Sequence, residues 1–263
     1  MIVPKKAKSN KFLDRPAIDI PLEFRDRLWT PELLTIARKA LQENSFVYLQ
    51  DLPPDFPWIG YTQQLTESLL MPQDNGKYIY DVRLVAGNEN RSDSTSQNEL
   101  LPHTEAAYLE TPPKHLALWC DRPAACGGGI TQLLDGNDLF QWEFSAAEQQ
   151  QLTQRLYQYS SKDGSRKAIA PIVKLSPWGQ PQLRFSYNIL IHGDPSPELD
   201  AETHACDLFL KTICDRIRDR FEAYCNLIRL QQHSLLIVDN RRMLHSRTKY
   251  ADRDRHLQRI WLM

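Results

Sequence analysis

Three absences narrow the reading of this 263-residue chain. It has no Cys-x-x-Cys, and its five cysteines (Cys120, Cys126, Cys206, Cys214, Cys225) are scattered and odd in number. That argues against a zinc cluster or a disulfide framework and fits the reduced thiols of a cytoplasmic protein. It has no charge excess: Lys plus Arg is 32, Asp plus Glu is 33, and the formal charge is −1. Nothing there suggests nucleic acid or an anionic membrane as partner. No stretch approaches the roughly 20 apolar residues of a membrane span. The charged opening, Met1 to Asn10, is not followed by an apolar run, so no secretory leader is expected. There is also no internal repeat, low-complexity tract or Gly/Ser linker. We therefore expect one domain over residues 1–263, with 1–20 as an irregular lead-in. Large β barrels and sandwiches approach this length as one domain. Apolar residues are 41% and charged residues 25%, an ordinary globular composition.

The pattern along the chain predicts many short strands and a few helices. Thr30 can cap a helix with Pro31 at its first position and Leu33, Leu34, Ala37, Ala40 and Leu41 on one face. Phe46 to Leu49 reads as a strand, Gln63 to Leu70 as a helix, and Tyr78 to Val85 as β-rich. Gly87 to Glu99 is a polar loop, either a lid or plain surface. Leu116 to Cys120 and Ile130 to Leu134 read as buried strands. Ser145 and Glu148 form a capping-box pattern before a helix carrying Leu152 and Leu156. Ala168 to Leu175 and Gln182 to Tyr187 are strand candidates parted by a turn. Residues 200–228 predict a long helix whose stripe (Leu210, Ile213, Cys214, Ile217, Phe221, Tyr224, Ile228) is core. Leu235 to Val238 and Leu257 to Met263 complete the strands. Such a pattern argues a mainly β fold with its helices packed outside.

The chemistry centres on Pro102-His103-Thr104-Glu105-Ala106-Ala107-Tyr108. In extended backbone, residues i and i+2 point to one face, so His103 and Glu105 can aim together. An imidazole nitrogen and a carboxylate oxygen suit a divalent first-row metal. A third ligand must come from elsewhere, and His245 in Asp239 to Thr248 is the best candidate. His-x-Glu alone is a common chance pair; its company gives it weight. That company is the polar Ser92 to Asn98 before it, Pro112 to Cys120 and Gly127-Gly128-Gly129-Ile130-Thr131 after it, and the His245 segment with Arg255 and Arg259 beyond.

This ordered set, over about Glu43 to the end, resembles the taurine dioxygenase-like (TauD/TfdA) family of iron(II)- and 2-oxoglutarate-dependent oxygenases. The His-Thr-Glu followed by Ala-Tyr is similar to the clavaminate synthase-like branch, which oxidises amino acids and related metabolites. Most relatives carry Asp where Glu105 stands; both acids ligate iron. The resemblance implies a double-stranded β-helix (jelly roll). It implies Fe(II) held by His103, Glu105 and His245, with three positions left for 2-oxoglutarate and dioxygen. It implies that Arg255 and Thr131 hold the far carboxylate of 2-oxoglutarate, since an arginine fork matches a carboxylate. Arg259, four residues on, would then face the substrate. The charged run 251–256 leaves a surface role open for Arg255, with Arg253 as its nearest rival. Arg259 sits in an apolar strand and needs a partner if buried. Arg184 and His192 are weaker substrate-pocket candidates. His115 and His233 read as structural, and His233-Ser234 replaces the Gly-Asp usual in relatives.

The expected activity is oxidation, by default hydroxylation, of an unactivated C–H bond in a small amino acid or amino-acid-derived metabolite. Two alternatives stay open: an oxygenase of a sulfonate or other carboxylate, and a non-catalytic metal-binding jelly roll. The second would leave Arg255 and Thr131 without a task.

Overall fold

The structure, a computed structural model, describes residues 31–202 and 207–263. The expected lead-in, the Thr30 cap and Cys206 lie outside the described residues. In chain order the elements are α1 (Pro31–Asn44), β1 (Phe46–Leu49), α2 (Trp58–Thr66), β2 (Leu70–Met71), β3 (Tyr80–Val82), β4 (Leu100–His103) and β5 (His115–Arg122). Then come β6 (Thr131–Asp135), α3 (Gly136–Glu143), α4 (Ala146–Gln154), β7 (Tyr157–Ser160), β8 (Lys167–Ala170), β9 (Val173–Leu175) and β10 (Pro181–Leu183). The chain closes with α5 (Tyr187–His192), α6 (Leu208–Tyr224), β11 (Asn226–Ile228), β12 (Ser234–Asp239), β13 (Met243–Arg247) and β14 (His256–Leu262).

Two antiparallel sheets make the jelly roll. One runs β1-β12-β5-β14-β2, with β3 also on β14; the other runs β11-β6-β13-β4. Side-chain alternation explains why β12 is apolar throughout. Leu235 and Ile237 pack with Leu33, Ala37, Leu41 and Tyr61 of α1 and α2. Leu236 and Val238 face the other way, packing with Leu133, Ile228 and Met243 of the second sheet. A strand covered on both faces has no solvent side to make polar. Helices α5 and α6 close the outer side of the second sheet, where Leu210, Ile213, Cys214, Ile217 and Phe221 are buried as the stripe predicted.

Several expected boundaries shift, each for a local reason. The second helix starts at Trp58 and stops at Thr66, where Glu67 turns left-handed with φ 52°. Within the Tyr78–Val85 run, only β3 pairs, along β14. The long helix begins after Asp207, whose side chain caps Leu210 N, and Ile228 belongs to β11 instead. The Ser145–Glu148 capping box forms, but α4 ends at Gln154 and leaves Leu156 exposed. The predicted strand 182–187 breaks at Leu183, and Ser186 caps α5. His233 takes a left-handed φ of 55°, the conformation that suits the glycine usual at this turn.

Candidate active site

Strand β4 delivers His103, and β13 sets His245 directly opposite it in register. Their ring centroids lie 4.2 Å apart. Beyond His103 the ladder stops. Thr104 instead exchanges hydrogen bonds with Phe185, its N–H donating to the carbonyl at 2.7 Å. Asn240 then clamps Glu105: its Oδ1 accepts from Glu105 N–H at 2.6 Å, and its Nδ2 donates to the Glu105 carbonyl at 3.1 Å. Ala106 turns away with φ 53°. These bonds aim Glu105 back at the histidines. Its Oε2 lies 3.6 Å from His245 Nε2. One ligand atom each from His103, Glu105 and His245 falls within 4.8 Å of the others.

The protonation states suit ligation. Burial, then the neighbouring His245, holds the His103 pKa down to about 3, so its ring is neutral. Its Nδ1 faces the Leu101 carbonyl at 2.8 Å; the proton belongs on that nitrogen, leaving the Nε2 lone pair free. Burial pushes Glu105 up, but Arg259 and the two histidines outweigh it and bring the carboxyl down to about 2. Two nitrogens and one ionised oxygen on one face fit a divalent first-row metal.

These residues line one cavity of about 580 Å³, within the ordinary range for small-molecule sites. Its lining includes Thr131 and Arg255, both buried. Arg255 stacks on Tyr250, 5.0 Å from the ring centroid, and its Nη1 is buried without a partner. Gly129 makes room for it: a Cβ there would meet Arg255 Nε at 2.9 Å. Arg253, the rival, is not among the lining residues. Arg259 lies beside Glu105. Its Nη1 pairs with Glu105 Oε1 at 3.1 Å, its Nε donates to Gln73 at 3.0 Å, and it stacks on Tyr80. The ion pair supplies the partner that its apolar strand required.

The structure corrects two expectations. Arg184 does not reach the cavity: its guanidinium donates to the carbonyls of Ala107, Leu109 and Glu110, pinning the turn after Glu105. His192 ends α5 outside the cavity, its Nδ1 against the Glu202 carbonyl. Sequence reasoning gave no role to Asn240, Gln73 or Tyr108. Tyr108 lines the cavity and donates to Asp74, which Arg166 also pairs. Arg247, a second-line candidate in the sequence for the cosubstrate arginine, lines the cavity; it stands at i+2 from His245 on a strand, hence on the same face.

A family described as "Taurine catabolism dioxygenase TauD, TfdA family" matches residues 21–261. No curated protein sequence matches significantly. Among solved structures, asparagine oxygenase with Fe(II), 3-hydroxyasparagine and succinate is 20% identical, with a TM-score of 0.72 over 89% of this chain and 80% of that one. The non-heme iron oxygenase OrfP, with Fe, succinate and a dihydroxyarginine, is 15% identical, with a TM-score of 0.67 over 92% and 83%. PvcB from Pseudomonas aeruginosa is 20% identical, with a TM-score of 0.60 over 87% and 79%. At these identities the neighbours speak to the fold, and the match to 21–261 speaks to descent: the chain belongs to the TauD/TfdA family of dioxygenases.

Proposed function

We propose that this protein is an Fe(II)- and 2-oxoglutarate-dependent oxygenase that oxidises an unactivated C–H bond of an amino acid or amino-acid-derived small molecule. The observation that carries the reading is the pairing, in one cavity, of a His-Glu-His set with a buried arginine whose Nη1 has no partner. A buried guanidinium left open is costly unless an anion completes it.

His103, Glu105 and His245 would hold the iron. Arg255 and the Thr131 hydroxyl would take the far carboxylate of 2-oxoglutarate. When bound, iron would activate dioxygen, the oxidant; 2-oxoglutarate would be oxidised to succinate and carbon dioxide, one oxygen atom going to succinate and the other to the substrate. The chain supplies position and electrostatics. Arg259 keeps Glu105 ionised and, lining the cavity, would offer a cation to an acidic substrate group. Tyr80 and Tyr108 line the cavity with Arg259 and give it partly apolar walls. The polar segments 92–95 and 195–196 line it too.

The substrate class is supported by the neighbours, which include enzymes solved with hydroxylated asparagine and arginine. The non-catalytic reading leaves the open Arg255 unexplained. A turnover screen of free amino acids with Fe(II) and 2-oxoglutarate tests the proposal. Succinate release matched by a product carrying one more oxygen atom is the expected result. Succinate release only with sulfonates or simple carboxylates would move the substrate to that class.

A further inference from the structure

The loop before β4 is fastened in two directions. Its outer side zips to segment 194–199: Ser92 N–H donates to the Pro197 carbonyl, Leu199 N–H to the Asn90 carbonyl, and Ser196 Oγ to Asp93. Its inner side is held by Arg247. The Nη2 of Arg247 donates to the carbonyls of Ser96 at 2.9 Å, Asn98 at 2.5 Å and Asp93 at 3.4 Å. Arg247 is 3% exposed, yet its Nε and Nη1 are buried with no partner. It lines the cavity beside Thr131, its register partner on β6.

Arg247 and Arg255 share one aromatic ring. Their guanidinium carbons lie 4.9 Å and 5.0 Å from the Tyr250 centroid. Among the described residues no carboxylate lies at ion-pair distance from either; Asp93 attracts Arg247 from farther off, more weakly than Arg255 repels it. Two buried cations on one ring repel each other, and water cannot screen them. Without an anion, that repulsion works against the inward position of Arg247. If Arg247 leaves, three loop carbonyls lose their donor.

We propose that Arg247 is a positioning residue that couples Arg255 to the loop before β4: an anion at Arg255 relieves the arginine pair, and Arg247 then holds loop 93–98 against the sheet that carries His103 and His245. The inference rests on 2-oxoglutarate binding at Arg255. By linkage, the cosubstrate tightens the loop and the fastened loop tightens the cosubstrate, by the same factor.

The test uses the full chain loaded with Mn(II), without turnover. Backbone hydrogen exchange of residues 86–99 is followed with and without 2-oxoglutarate, and calorimetry on the same samples gives its affinity. In the wild type, exchange of 93–98 should slow by about tenfold on adding 2-oxoglutarate. Arg247→Met should exchange fast in both states and bind 2-oxoglutarate about tenfold more weakly. Arg247→Lys, which keeps the charge without the fork, should fall between. Arg255→Gln removes the repulsion, so its loop should already be protected without 2-oxoglutarate, and adding it should change nothing. A plain structural strut would make no such difference between Arg255→Gln and the metal-only wild type. If Arg247→Met does not fold, the Arg255→Gln comparison decides alone. Overturning results are a wild-type loop indifferent to 2-oxoglutarate that calorimetry shows bound, or a full loop response in Arg247→Met. Absence of any 2-oxoglutarate binding to the wild type overturns the cosubstrate reading itself, and this inference with it.

Discussion

His103 and His245 are direct cross-strand partners on β4 and β13, their rings 4.2 Å apart and inclined at 48°. A sheet register thus does what a helix would do with an i, i+4 pair. It places two side chains on one face at close range. The third member, Glu105, lies just past the end of the ladder and depends on Asn240 for its aim. The histidine and carboxylate set and the Asn240 clamp are expected to act unequally when altered.

His245→Ala and Glu105→Ala should each weaken Fe(II) or Mn(II) binding by more than about 100-fold, since even outer partners of a metal site are worth 10–100-fold. Asn240→Ala, which only loosens the backbone of Glu105, should cost about tenfold. Metal titration of purified variants reads all three. Undiminished metal binding in Glu105→Ala would remove that residue from the set.

The two arginines should separate by kinetics. Removing a charge-assisted partner costs about 2–5 kcal/mol when the other charge stays buried, and about 1.4 kcal/mol is tenfold. Arg255→Gln should therefore raise the apparent 2-oxoglutarate KM about 30-fold or more, with a smaller effect on substrate. Arg259→Gln should impair substrate turnover while 2-oxoglutarate decay without product persists. Because Arg259 also keeps Glu105 ionised, this variant should lose metal at a higher pH than the wild type. Exchanged effects would mean exchanged roles.

Gly129 offers a test by backbone. It has φ +69°, and an added Cβ would also press on Arg255 Nε at 2.9 Å. Gly164 has the same φ of +69° with nothing within 4 Å. Gly164→Ala should cost only the left-handed penalty, about 1–2 kcal/mol, and leave the 2-oxoglutarate KM unchanged. Gly129→Ala should cost more and raise that KM. Equal behaviour of the two would show that Gly129 does not make room for Arg255.

The metal-free protein should lose stability on acidification. Burial, with help from Lys114 and Arg241, holds buried His115 down to about 4 from 6.5. As pH falls from 6.5 to 4, the unfolded chain takes a proton that the folded chain refuses, so stability declines across that window. His103, held down to about 3, works in the same direction. Glu105 stabilises above its ordinary 4.5 and loses that contribution as pH falls towards about 2. The His115 part is on the order of 3 kcal/mol at about 1.4 kcal/mol per pH unit. Thermal melts of metal-free protein should show Tm falling from pH 7 to pH 4. In His115→Asn the fall should be shallower. A flat profile would contradict this.

The sequence carried the parts of this picture that depend on local spacing. His103 and Glu105 could be paired because i, i+2 in extended backbone is a geometric rule, and the α6 stripe could be read as core because 3.6 periodicity is one too. The jelly roll itself came from family resemblance, not from pattern. What stayed hidden is long-range. Asn240 meets Glu105 across 135 positions, and Arg184 meets Leu109 across 75. No spacing rule reaches that far. Arg184 lies just past Leu183, where β10 has already ended, and its side chain donates to the carbonyls of Ala107, Leu109 and Glu110. Gln182 to Tyr187 failed as one strand because Ser186 supplies a helix cap to Ile189 N, a competing use of a short polar side chain.

The most direct test of the central claim is turnover under labelled dioxygen. With Fe(II), 2-oxoglutarate and an accepted substrate, one labelled oxygen atom should appear in succinate, and label in a hydroxylated product should match it in amount. His245→Ala should give neither. Oxidised product formed without succinate, or succinate carrying no label, would contradict the account.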